Sequence, residues 1–243
     1  MKVIDCIWEI PNLGCRVAEV SLENEIICKQ EVLEIERKFD YVVIKTEVGN
    51  LQQYKELNDM GYSLAEAQMS FCKPEKEFIL KDKILNRLFL DIEISLVTQK
   101  EELLFILNNM SPDMFSTDRI FLDPFFGADF SLRRYRNWIK NEYNNNSSKL
   151  LEIKYRGESI GFDLIKKEDG VLHGLLGGIY KQYQDNGLGF AIILAIYAYI
   201  ESNKDIKIFK TKISSNNIEI LKLYNYLNFR ILNIQYVFYK HTK

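Results

Sequence analysis

The sequence predicts an α/β (α+β) chain, a mixed and mostly antiparallel sheet flanked by helices. Three observations predict it. Leu150 to Tyr155 and Ser159 to Ile165 alternate as strands, and Arg156-Gly157-Glu158 joins them as a hairpin turn. A strand–helix–strand unit occurs twice. Between these features lies a strongly apolar stretch of helical length, Leu188 to Glu201.

Length and composition set the bounds. The chain has 243 residues, 47% of them hydrophobic and 13% aromatic, enough to bury a real core and too apolar for disorder. Lys and Arg number 32 against 34 Asp and Glu, so no net basic field marks nucleic acid as a partner. The four cysteines, Cys6, Cys15, Cys28 and Cys72, have no metal-pair spacing and suit free thiols in a reducing compartment. Met1 to Glu9 lacks the basic lead and apolar stretch of a signal peptide. Leu188 to Ile200 is shorter than the roughly 20 residues a membrane helix needs. The expectation is a cytoplasmic protein with no metal and no membrane partner.

Taken in order, the first strand–helix–strand copy comprises a strand Tyr41 to Lys45, a helix from Leu51 to Met60 and a strand opening at Gly61-Tyr62. The second comprises Ile206 to Thr211, a helix from Ile218 to Leu227 and a strand opening at Asn228-Phe229. Asn50 and Asn217 stand at the two helix N-caps, where a side-chain oxygen accepts an orphan N–H. Tyr62 and Phe229 lie at equal distance beyond them, which reads as an internal duplication. Between the copies, Cys72 to Lys83 reads as a charged linker. Ile92 to Val97 reads as a strand, Lys100 to Asn109 as an amphipathic helix and Asp129 to Tyr143 as another. Ser111-Pro112-Asp113 breaks the pattern, and the polar run Asn144 to Ser148 marks a boundary. After the hairpin, Glu168-Asp169-Gly170 turns into a third strand, Val171 to Tyr180.

Gln184-Asp185-Asn186-Gly187-Leu188-Gly189 then links this strand to a helix N-terminus. Such a junction offers free N–H groups and the positive end of the helix dipole, which suits a pyrophosphate. Gly187 and Gly189 remove side chains that would hold phosphate off the backbone. The plainer reading of two glycines here is a turn. Gly177-Gly178 inside the preceding strand reads as a bulge or as a place of close ligand approach.

Gln-x-x-Gly-x-Gly after a third hairpin strand, then an Asn-led helix ending Leu223-Tyr224-Asn225-Tyr226-Leu227-Asn228-Phe229, resembles the GNAT superfamily of N-acetyltransferases over about residues 148 to 240. Two positions depart from the usual pattern: Ile220 replaces a small residue and Asn228 a glycine. Trp8 to Arg16, Asn50 to Phe71 and Asp118-Arg119-Ile120-Phe121-Leu122-Asp123-Pro124 look like the narrower group of TDP-fucosamine acetyltransferases and their relatives. In that group an incomplete GNAT-like half precedes a complete one. The resemblance implies an incomplete N-terminal unit over 1–100 and a GNAT domain over 101–243, with core motifs at 148–243.

What it further implies is acetyl-CoA-dependent N-acetylation by direct attack of a primary amine. Acetyl-CoA enters between two splayed strands, here Val171 to Tyr180 and Ile206 to Thr211. Backbone N–H groups near Gly178 and Ile179 polarise the thioester carbonyl. Gln184, Asp185, Asn186, Gly187, Leu188, Gly189 and Phe190 hold the pyrophosphate, and Asn217 contacts the pantetheine arm. Tyr224 is the general acid for the departing thiolate, with core packing beside Leu223 and Leu227 as the plainer reading. Candidates on the acceptor side are Asp118, Arg119, Phe121, Asp123 and His173; surface charge, capping or core packing is the plainer reading of each. Leu57 stands where Tyr224 stands in the second copy, and the first copy has no Gln-x-x-Gly-x-Gly. One cofactor site per chain is therefore expected. The implied acceptor is a nucleotide-linked amino sugar. A protein N-terminus or another small amine stands as the alternative, and a non-catalytic acyl-CoA-binding module as a reading from a different class. A homodimer is compatible with all three.

Overall fold

The computed structural model describes residues 1–22, 27–146, 148–184 and 186–243. In its N-terminal part, β1 (Lys2–Asp5), α1 (Ile10–Leu13), β2 (Val17–Leu22), α2 (Lys29–Lys38), β3 (Tyr41–Glu47), α3 (Leu51–Asp59) and β4 (Ser63–Pro74) follow one another. Next come α4 (Lys83–Leu90), β5 (Ile92–Leu96), α5 (Lys100–Asn109), α6 (Arg119–Leu122) and α7 (Ala128–Asn145). The chain ends with β6 (Lys149–Tyr155), β7 (Glu158–Glu168), β8 (Val171–Ile179), α8 (Lys181–Gln184), α9 (Ala191–Ser202), β9 (Ile208–Ser214), α10 (Ile218–Tyr226) and β10 (Arg230–His241). All strands join one sheet in the order β1-β2-β3-β10-β4-β9-β8-β7-β6-β5, antiparallel except for β2/β3 and β8/β9.

Local chemistry accounts for much of this. Arg156-Gly157 and Asp169-Gly170 each place two successive residues at positive φ, the backbone twist that matches a tight hairpin between β6, β7 and β8. Asn50 and Asn217 cap α3 and α10 by accepting from Gln53 N–H (3.2 Å) and Ile220 N–H (3.3 Å). Asn228 takes φ 57 just after α10, a left-handed position that asparagine tolerates.

The duplication governs the whole topology. Residues of the first copy recur after an offset of 167, from Asn50 to Asn217, and Gln68 faces its own counterpart, Gln235, across the β4/β10 pairing. The register is symmetric about that point. Met69 faces Ile234 as Tyr236 faces Ala67, and Cys72 faces Arg230 as Tyr239 faces Ser63. Register shifts fall at the matching places, past Leu232 on β10 and past Ala65 on β4. The outer neighbours obey the same relation: Gln235 with Glu47 on β3, and Gln68 with Ser214 on β9. Each copy thus gives its last strand to the other, since β10 lies beside β3 and β4 lies beside β9.

Helices cover both faces. On one, α2 and α3 pack on Val42, Ile44 and Phe238, while α9 and α10 pack on Leu172, Phe209 and Phe71. On the other, α5 and α7 pack on Leu150, Phe162 and Leu164, and Ile120 of α6 packs on Tyr41, Val43 and Val237. No helix among the described residues is long and apolar enough to cross a membrane.

Two expectations change. Cys72 to Lys83 is not a linker: Cys72 and Lys73 are buried in β4, and the segment beyond leads into α4. Phe78, Leu80, Leu88 and Phe89 pack against the cores that include α9. That cover explains why α9 is apolar almost all round, as a helix enclosed on every side must be. The boundary after residue 100 also moves, because β5 pairs with β6 and so belongs to the C-terminal half of the sheet. β1, β2, α2 and α4 were not anticipated from the sequence.

Candidate active site

Parallel pairing of β8 with β9 runs from Val171/Ile208 only to Gly174/Thr211. Beyond it β8 continues to Ile179 and β9 to Ser214 with no pairing between them, so a gap opens in the sheet. The symmetry-related pair β2/β3 starts at the matching position, Val17/Tyr41, but stays paired to Leu22/Thr46. A register shift in β7/β8 skips Leu175, one residue after the last β8/β9 pair. A bulge bends its strand and increases twist, which steers β8 away from β9.

The two glycines of β8 follow from what covers them. A Cβ on Gly177 would strike the Asp163 carboxylate oxygen, and one on Gly178 would strike the Met114 sulfur on the opposite face. Of the two N–H groups expected to serve the site, the structure turns one toward the gap. Tyr180 N–H donates to Ile160 (2.8 Å), and the Gly178 carbonyl faces Gly161. Alternation along the strand therefore directs Gly178 into the β7 pairing and the N–H groups of Gly177 and Ile179 toward the gap. The Ile179 carbonyl, on that same edge, accepts from Gln184 Nε2 (2.9 Å). Gln184 thus ties the loop to the strand end.

Tyr224 is buried near the vertex of the gap. It stacks on Phe229 (4.4 Å between centroids, 12°) and meets Phe71 edge-on. Its hydroxyl lies near Thr211, whose Oγ1 donates to the Gly174 carbonyl (3.0 Å). Burial, then the nearby Asp163, push the phenol pKa up, while the Thr211 hydroxyl pulls it down. The phenol is held protonated.

The loop before α9 carries Asn186, Gly187, Leu188, Gly189 and Phe190 at a helix entrance, a short 3₁₀ turn over 188–190 running into α9. Gly187 has φ 69, and a Cβ on either Gly187 or Gly189 would meet nothing of the protein within 4 Å. The loop backbone is thus open on its outer side while Leu188 is buried beneath it. Asp185 lies outside the described residues. Asn217 uses its oxygen on the α10 cap and sits at the open end of β9.

The acceptor-side candidates separate. Asp118 caps α6 through Ile120 N–H and accepts from Ser131 Oγ (3.1 Å), while Asp123 accepts from Phe125 N–H (2.9 Å) and lies 2.8 Å from His241 Nε2. Both shape their segment. Phe121 is half-buried on α6. His173 lies in the fully paired part of β8, between Lys166 and Lys210, and burial lowers its pKa. It precedes by one residue Gly174, the last position paired with β9. Arg119 differs: its side chain is only 13% exposed, its Nη1 lies 4.0 Å from Glu66, and its Nε has no partner. It faces a polar floor on the sheet surface away from α9, where Lys45 pairs with Glu19 (2.7 Å).

Sequence reasoning missed Asp163, Thr211, Glu66, Glu19 and Lys45. Asp163 had a legible signal, a lone acid inside the apolar run Ile160 to Ile165. The others carry none, since charged and hydroxyl residues on strands usually face water. No group of metal-ligating side chains occurs among the described residues.

No family model and no curated protein matches the sequence. Solved structures do match the fold. A functionally unknown conserved protein from Staphylococcus epidermidis superposes with TM-score 0.63 at 13% identity, over 93% of this chain and 84% of that one. A GCN5-related N-acetyltransferase from Kribbella flavida gives 0.58 at 12%, over 93% and 81%. A tandem GNAT protein from the clavulanic acid biosynthesis pathway gives 0.56 at 8%, over 94% and 78%. At these identities the likeness concerns the fold, which is that of tandem GNAT proteins.

Proposed function

We propose that this chain is an acetyl-CoA-dependent N-acetyltransferase acting on a primary amine, most simply one carried by a nucleotide-linked amino sugar. The observation that carries the reading is the parting of β8 from β9 after Gly174/Thr211, with strand-edge N–H groups on one side and Tyr224 near the vertex. An extended amide-bearing arm fits such a gap because it can pair with an open strand edge as another strand would. The open glycine loop at the entrance to α9 suits the arm's pyrophosphate. When bound, acetyl-CoA supplies the activated acetyl group.

The chain's own residues then divide the work. Ile179 N–H donates toward the acyl oxygen and makes its carbon more electrophilic. Gly187 to Phe190 bind phosphate, with Gln184 fixing the loop to β8. Tyr224 holds a proton for the leaving sulfur. On the other face, Arg119, Glu66, Lys45 and Glu19 give a charged floor suited to a polar acceptor such as a sugar nucleotide. Calorimetry with CoA, followed by thiol release from acetyl-CoA across a panel of nucleotide amino sugars and simple amines, tests the reading. Micromolar CoA binding and an amine-dependent rate are expected; absence of CoA binding overturns it.

A further inference from the structure

Asp163 has no part in the site as described so far, and its surroundings are unusual. It is 4% exposed, and its Oδ2 has no hydrogen-bond partner. Register places it opposite Gly177 on β8 and Leu151 on β6, and its carboxylate occupies the space a Gly177 side chain would fill. Ile192 of α9 closes the same spot from above, within contact of that missing side chain. The carboxyl therefore lies over the part of β8 that borders the gap, on the face that also carries Thr211 and Tyr224. A buried polar oxygen left without a partner costs roughly 1–3 kcal/mol, so a retained one calls for a ligand or a proton to handle.

We infer that Asp163 acts through Tyr224, returning a proton to the phenol after the departing thiol has taken the first one. This rests on the acyl-transfer reading above. The bookkeeping of protons closes. The Tyr224 O–H bond breaks as the S–H bond forms, and the electron pair stays on the phenolate oxygen. The Asp163 O–H bond then breaks, relayed by water entering behind the thiol, and the Tyr224 O–H bond re-forms. As the C–N bond forms and the C–S bond breaks, the neutral amine sheds one proton to solvent in becoming the amide; the carboxylate left behind recovers one from solvent, so no net proton is gained or lost. The geometry suits the role. Loss of water alone raises the Asp163 pKa well above the usual carboxylate value, and Asp163 in turn raises that of Tyr224. The groups facing it are Leu151 on β6, Gly177 on β8 and Ile192 on α9, and Tyr224 lies within its field. No charged side chain is among the causes of its shift.

Asp163→Asn keeps the shape and the hydrogen-bond capacity of a neutral acid but cannot release a proton. With acetyl-CoA and the amine that works best in the panel, the variant should release one thiol per chain in a rapid first turnover. It should then slow at least 10-fold, with CoA affinity unchanged. The wild type should show no burst, and Tyr224→Phe should be slow from the first turnover. A second measurement needs no acceptor. Because the folded-state pKa is raised, wild-type stability should fall as pH climbs above about 4, the unfolded carboxylate value, toward the raised pKa. Asp163→Asn should lack that fall and have the higher denaturation midpoint at pH 7. Wild-type turnover in Asp163→Asn without a burst, or the same pH–stability curve for both proteins, overturns the inference while leaving acyl transfer intact. A wild type that binds no CoA, or releases no thiol with any acceptor, removes the acyl-transfer reading and this inference with it.

Discussion

At the scale of single residues, the site depends on groups whose protonation is set by burial. Tyr224 lies against Phe229 and Phe71 with water excluded, so its ionised form is disfavoured. A phenol whose folded-state pKa is raised keeps its proton at all lower pH and loses it only as pH rises through the raised value. The kcat profile should therefore show no alkaline fall attributable to Tyr224 below about pH 10, the ordinary phenol value. Tyr224→Phe should lower turnover by about 10²–10⁴ with little change in CoA affinity, the usual size of a general-acid contribution. Stopped-flow thiol release at saturating acceptor measures it, and near-wild-type rates would remove Tyr224 from the mechanism. Gly177 carries a different constraint. Its φ is not positive, yet a Cβ there meets the Asp163 carboxyl and Ile192. Gly177→Ala should cost about 1–3 kcal/mol by overpacking, read from denaturant unfolding.

Elements show why the same unit behaves differently in its two settings. β2/β3 and β8/β9 begin their pairing at equivalent positions, but only β8 carries a register shift and two consecutive glycines. Thr211 and Tyr224 correspond to Ile44 and Leu57, so the first copy has apolar core where the second has its hydroxyl pair. The loop into α9 is separable from the fold in the same sense. Gly189 has ordinary φ and open space above it, so Gly189→Val should leave the thermal midpoint within about 2–4 °C, a shift of roughly 1 kcal/mol or less. The same variant should reduce CoA affinity at least 100-fold, because its side chain stands where phosphate approaches. Gly187→Val adds backbone strain of roughly 1–2 kcal/mol, since φ 69 suits glycine. Unchanged CoA affinity in both variants, by calorimetry, would remove the loop from the site.

For the whole molecule, strand exchange makes the two halves one folding unit. β4 lies between β9 and β10, and β10 lies between β3 and β4. A fragment of residues 92–243 therefore leaves β9 and β10 with no β4 between them, and one of residues 1–91 leaves β3 without β10. Neither should fold alone, whereas co-expressed they should purify as a complex, with circular dichroism showing the sheet only in the mixture. Titration of the intact chain with CoA should saturate at one equivalent. Among the described residues the β2/β3 pairing stays closed to Leu22/Thr46, and the sequence 21–28 carries no glycine. Two equivalent sites would refute that.

Periodicity, turn chemistry and caps made much of this protein legible from its sequence. The hairpins at Arg156-Gly157 and Asp169-Gly170, the Asn50 and Asn217 caps, the duplicated unit and the glycine loop before α9 are all set by contacts within a few residues. Local chemistry is written locally. The rest depended on residues far apart in the chain. Nothing near Ser63 to Pro74 says that this strand will lie beside β9, 140 or so residues away, because any strand of suitable pattern offers the same backbone hydrogen bonds. Nor does the sequence say that α4 will cover α9, or that the lone acid at 163 will end beneath Ile192, beside a glycine and within the field of Tyr224. Those positions follow from how the sheet closes, and burial then sets the protonation of Asp163 and Tyr224. The sequence by itself determined the hairpins, the caps, the duplicated unit and the glycines of the loop before α9; only the tertiary structure decided which strands part and which side chains lose water, because both depend on contacts between residues far apart in the chain.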